Sequence, residues 1–166
     1  MKRAHAIAAA LGFLAAACGS PTHGDAEAVK SGRPSSPCRA QVPANLSLAP
    51  AQWLGDCSNG VADGLGVMRA GKAEPYEFFA GRMAGGKLVD GVLLRRDGLM
   101  MVAIRFDKNR RVVVSDGLKA SEDEDVFRTA TASALATSRR FAAQNNLGSA
   151  AYYSRLADRI RTAPPE

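Results

Sequence analysis

The chain has 166 residues, 46% of them hydrophobic, and 22 Lys and Arg against 16 Asp and Glu give it a formal charge of +6. A chain of this size supports one domain with a modest core, and so mild a basic balance falls short of a nucleic-acid signature. Histidine occurs only at His5 and His23; the rest of the chain has none, which excludes Ser-His-Asp and Cys-His catalysis and any His-built metal site there.

Lys2 and Arg3 precede an apolar run over residues 6–17 that is short for a membrane span, and Ala15, Ala16 and Ala17 lead directly into Cys18. A basic start, a short apolar segment and a small-residue cleavage site make a secretory address. At these residues the sequence resembles the lipobox signal of bacterial lipoproteins, with Leu14 one place further from the cysteine than the family's usual aliphatic residue. The resemblance implies that residues 1–17 are removed as a signal peptide and that Cys18 is acylated. Because Gly19, and not Asp, follows that cysteine, it also implies delivery to the outer membrane, on its periplasmic face. Loss of Lys2 and Arg3 leaves 20 basic against 16 acidic groups. That balance favours an anionic neighbour such as a lipid headgroup, a polyanionic glycan or an acidic protein surface. Residues 18–37, rich in Gly, Ser and Pro, read as a flexible tether. With Cys18 used by the lipid, Cys38 and Cys57 remain as an even pair in a compartment where disulfides persist, so a bond between them is expected.

The middle of the chain carries an internal repeat. Trp53 is followed by Gly55, Cys57, Gly60, Gly64 and Gly66. Phe79 with Gly81, Met83, Gly86 and then Gly91 repeats the order, the last glycine displaced by one. A third unit is read at Val102, Ile104, Phe106 and Asn109, with Asn in the place of the turn glycine. At these residues the sequence resembles the MORN repeat, a β-hairpin unit of about two dozen residues. The resemblance covers about a third of the chain and implies contacts with proteins and proximity to a membrane. Alternation places Trp53, Gly55 and Cys57 on one strand face, with the bare glycine leaving room for a ring, and Gly60 where the chain must turn.

Strands follow at hairpin spacing: residues 89–95 lead through Asp97-Gly98 into 99–106, and Asp107 to Asn109 lead into 110–115. About six antiparallel strands are expected between Gln52 and Ser115, those of 99–106 with one buried face. The period then changes. Ser121 and Glu124 read as a capping box, opening a helix whose Val126, Phe127, Ala130, Ala134, Phe141 and Ala142 form an apolar stripe. Asn145 to Gly148 break it, and a second helix sets Tyr152, Leu156 and Ile160 on one face, with Arg155, Arg159 and Arg161 exposed, before Pro164-Pro165. The expected architecture is α+β: a β-hairpin repeat domain over 38–118, then a helical pair over 119–162 on or beside the sheet.

Candidate chemistry is sparse. The acidic residues 122–125 lack the spacing and glycine of a calcium loop and suit a helix N-terminus. Glu74 and Glu77, flanking Tyr76, read as solvated strand-end charges, and a hydrolytic pair would need a cleft to set its separation. Arg95 and Arg96, and Lys108, Arg110 and Arg111, fall at successive turns, hence at opposite ends of a meander, and do not form one patch. Trp53 reads as core and not as a sugar platform. The expectation is a lipid-anchored envelope protein that binds or scaffolds an envelope protein or anionic glycan. It involves no catalysis, cofactor, metal or nucleic acid, with an inhibitor or immunity lipoprotein as the alternative and a carboxylate-dependent glycan hydrolase as the remote one.

Overall fold

The computed structural model describes residues 37–116, 118 and 120–163; residues 1–36, Cys18 among them, and the helix stop expected at Pro164 and Pro165 lie outside them. Nine short strands form where about six were expected. They are β1 (Ala51–Trp53), β2 (Cys57–Ser58), β3 (Val61–Ala62), β4 (Gly64–Ala70), β5 (Glu77–Ala84), β6 (Lys87–Leu94), β7 (Met100–Ala103), β8 (Arg105–Phe106) and β9 (Val112–Val113). Five of them make an antiparallel sheet in the order β1-β4-β5-β6-β7, and β2-β3 and β8-β9 are separate small hairpins. The helices α1 (Ala120–Ala143) and α2 (Leu147–Arg161) follow. The fold is α+β, a five-stranded antiparallel sheet followed by a C-terminal helical pair, and sheet and helices belong to one compact unit.

Strand alternation divides the core in two. Val67, Phe78, Ala80, Val92 and Leu94 face the helices, where Val126, Tyr153, Leu156 and Ile160 bury against them. Each such large apolar side chain contributes on the order of 2 kcal/mol on burial. Met68, Phe79, Met83 and Leu93 face the other way, together with Trp53. That second face is not open to water, as a one-sided sheet would be. Residues 38–48 cross it as a strap, with Val42 and Leu46 packed down, and Phe106 and Val112 of the β8-β9 hairpin cover the rest. Burial on both faces is why β5 and β6 read as nearly continuous apolar runs.

The strap is fixed at both ends of the sheet. Near the β5-β6 turn, Arg39 N–H donates to Gly60 O at 2.9 Å and Gln41 N–H to Gly86 O at 2.8 Å. Cys38 and Cys57 are disulfide-bonded there, Cα to Cα 5.9 Å. At the opposite end, Ser47 and Leu48 N–H donate to the Glu77 carboxylate at 2.6 and 3.1 Å. Glu77 is therefore not a solvated strand-end charge. It is fully buried, because the strap supplies the amides that replace water around its oxygens.

Small residues let α1 approach the sheet. Ala130, Ser133, Ala134 and Thr137 are buried, and Ser133 Oγ donates to Gly81 O at 2.9 Å. The expected stripe is thus shifted: Phe127 and Phe141 are half-buried and Ala142 is exposed. Because α1 already includes Ala120, Ser121 lies inside the first turn and not at the cap. Asn145 (φ 58°) takes the left-handed conformation between the helices, and the Asn146 side chain accepts from Ser149 N–H to cap α2.

Candidate functional site

The repeat glycines form a column across the sheet. Gly66 pairs with Gly81, Gly81 with Gly91, and Gly91 with Ala103. A Cβ on Gly55 would sit 2.4 Å from the Trp53 ring, and one on Gly66 2.7 Å from it. On the next hairpin, a Cβ on Gly81 would sit 2.7 Å from the Phe79 ring and one on Gly91 2.5 Å from it. Each aromatic therefore lies over the glycine two residues on and over a glycine of the following strand, and only a residue without Cβ admits it. Trp53 is buried and its Nε1–H donates to Asp56 O at 2.9 Å. The displaced glycine of the second unit coincides with a register shift between Arg82 and Met83. Gly60 (φ 75°) follows Asn59 (φ 51°) in the β2-β3 turn, with open space around it. Gly64 (φ 91°) opens β4 and Gly86 (φ 80°) closes the β5-β6 turn.

The third unit is framed one residue earlier than its sequence suggests. Trp53, Met68, Phe79, Leu93 and Met101 make one cross-strand row. Met101 and Ala103 thus occupy the aromatic and glycine places, while Val102 pairs with Val92 on the helix side. The left-handed residue of that turn is Arg110 (φ 62°), not Asn109.

The chemistry gathers elsewhere, at the end of the sheet where β4 and β6 finish and β5 begins. Two adjoining hollows of about 240 and 470 Å³ lie between the turn after β4 and one flank of α2. They share Glu74, Tyr76 and Tyr152. Arg69 lines the smaller, and Arg95, Arg96 and Arg159 line the larger. Strand pairing sets this up: Arg69 is paired with Phe78, and Phe78 with Leu94 just ahead of Arg95 and Arg96. On α2, Tyr152 and Arg159 lie two turns apart on one face.

The groove's walls are held in place. The Arg69 guanidinium sits 4.8 Å over the Tyr76 ring, and its charge lies beside the Tyr153 phenol. Phe78 packs against Tyr152 and Tyr153 with ring centroids 6.0 and 6.5 Å apart. Burial pushes the Tyr153 phenol up to about 12, against the pull of the neighbouring Arg69 charge. Burial, then the Glu74 carboxylate, raise Tyr152 as well. Both phenols consequently keep their protons and serve as donors at neutral pH. Among the described residues Arg69, Arg96 and Arg159 make no ion pair, whereas Arg95 meets Asp97 at 3.5 Å and lies 4.0 Å from Glu77.

Glu77 does not line the groove. Its oxygens accept from Ser47 N–H, Ser47 Oγ (2.9 Å) and Leu48 N–H. Burial pushes its carboxyl up, but those bonds prevail and hold it below the usual range. Glu122 and Asp123 stand in the first turn of α1 and Glu124 and Asp125 in the next; Asp123 accepts from Ser115 Oγ at 2.8 Å and Asp125 pairs with Arg128. Arg110 donates to Val42 O at 3.2 Å on the strap, away from Arg95 and Arg96. Cys18 lies outside the described residues.

Reading the sequence missed this groove because Arg69, Arg96 and Arg159 are remote from one another in the chain. The one available signal was Tyr152 and Arg159 at i and i+7. Comparison of the chain with family models, curated proteins and solved structures finds no match.

Proposed function

We propose that the protein is a lipid-anchored module of the bacterial envelope, built on degenerate MORN-like hairpins, that binds an anionic partner in the Tyr and Arg groove without catalysis. The observation that carries this reading is the charge of the groove: four arginines line it against Glu74, and three of the four have no ion pair among the described residues. Guanidinium groups left without carboxylates around a hollow attract an external anion and present fork-shaped donors to it. The repeat reading draws support from the equivalent placing of Trp53 and Phe79 over the glycine column.

Support for binding over hydrolysis comes from Glu77, whose oxygens are occupied by the strap, so that among the described residues Glu74 is the single carboxylate lining the groove. Carboxylate hydrolysis needs a second. The location at the outer membrane rests on the lipobox resemblance at Cys18. The chain enters the described domain at residues 37–39, beside Gly60 and Gly86, and β5 separates that point from the groove by about 25 Å. Fractionation with a fatty-acid label tests the anchor. Cys18→Ser is expected to lose the label and leave the membrane fraction, and an unlabelled wild type that stays with the membrane contradicts it.

A further inference from the structure

We infer that the groove takes an acidic saccharide, a sugar chain bearing carboxylates; this rests on the reading of the groove as the binding surface. The flank from Gly148 to Arg159 covers 12 residues of helix, about 16 Å from first to last at the α-helical rise. That length suits a short oligomer more than a lone ion. Within it the groups are of three kinds, and each matches one part of such a sugar. Arg96 and Arg159, without ion pairs among the described residues, are planar fork donors that fit a carboxylate in two-point contact. Tyr152, half-buried and present in both hollows, offers an amphipathic ring on which the C–H face of a sugar can lie, with a phenol that keeps its proton.

Glu74 decides between ligand classes. A carboxylate among four arginines repels a densely charged phosphate ligand, but it accepts hydrogen bonds from hydroxyl groups. A ligand that welcomes both arginines and Glu74 therefore carries hydroxyl donors as well as negative charge. A peptide is disfavoured by topology. The strand residues in the walls, Arg69 and Phe78, belong to β4 and β5 inside the sheet, so no free strand edge is there for a peptide backbone to pair with.

The test uses the full chain in neutral detergent, with calorimetric titration of four probes. These are an oligogalacturonate, the same oligomer with its carboxylates methyl-esterified, a glutamate oligopeptide of equal charge, and inorganic phosphate. Oligogalacturonate is expected to bind saturably, and the methyl ester and the peptide at least about tenfold more weakly. Arg96→Ala with Arg159→Ala is expected to weaken oligogalacturonate binding about tenfold or more, the double variant's circular dichroism and melting being checked against wild type. Glu74→Gln is expected to weaken oligogalacturonate while tightening phosphate, opposite signs that bulk charge cannot produce. Peptide binding as tight as the sugar, abolished by the double arginine variant, overturns the saccharide inference and leaves the groove as the binding surface. Oligogalacturonate binding unchanged in the double variant overturns both. Absence of saturable oligogalacturonate binding overturns the saccharide inference.

Discussion

At the scale of single residues, Glu77 is a fully buried carboxylate whose charge is held by the Ser47 and Leu48 amides and the Ser47 hydroxyl of the strap. Glu77→Gln replaces one accepting oxygen with a donor that faces donors, and is expected to cost on the order of 2 kcal/mol at pH 7. The folded carboxyl lies below its ordinary 4.5, so the folded state binds this proton less readily than the unfolded one. The stabilisation is accordingly complete above about pH 5 and is lost as pH falls through 4.5 toward the folded value. Urea melts of wild type and variant should therefore converge in acid, and a gap that stays constant from pH 7 to 3 contradicts the charge assignment. Glycines separate in the same way. Gly60→Ala meets open space and pays only for its left-handed backbone, about 1 kcal/mol. Gly81→Ala drives a Cβ to 2.2 Å from Asp90 O and against the Phe79 ring. It is expected to cost about 3 kcal/mol or more. Equal melting temperatures for the two variants would refute the packed column.

At the scale of elements, the disulfide ties the strap to the β2-β3 hairpin across a sequence separation of 19. Closing a loop of that length stabilises the fold by about 3 kcal/mol through the unfolded chain. Cys57→Ala should lower the melting temperature and speed proteolysis of residues 38–48, and thiols freely alkylated in native protein would contradict the bond. These elements also show what was legible in the chain. The α+β order, the two helices and the Asp97-Gly98 hairpin were legible because turn residues and a change of period mark them locally. The frame of the third hairpin was not: with neither aromatic nor glycine to fix it, both alternating sets in Met100–Ala103 are apolar, and one slip exchanges the faces. The role of Glu77 was hidden because its partners, two backbone amides and the Ser47 hydroxyl, lie some 30 residues away, and no local side-chain pattern records them. Burial of the second face was hidden for the same reason, since a strap without regular structure covers it.

At the scale of the whole molecule, the described residues arrange in three layers: the strap with the β8-β9 hairpin, the five-stranded sheet, and the helical pair. The disulfide and chain entry lie at one end of the sheet, and the groove lies at the other. The groove forms where the turn after β4, the hairpin between β6 and β7 and the return of α2 converge, so its parts are assembled by topology from distant sequence. The most direct measurement is photo-crosslinking in intact cells that express the protein, with a photoreactive residue placed at Tyr152 in the groove or at Lys108 in the β8-β9 turn. Adducts are expected from position 152 and not from 108, and they should disappear when Arg96→Ala and Arg159→Ala are combined. Adducts from position 108 alone, or adducts from 152 that survive the loss of both arginines, would contradict the groove as the binding surface.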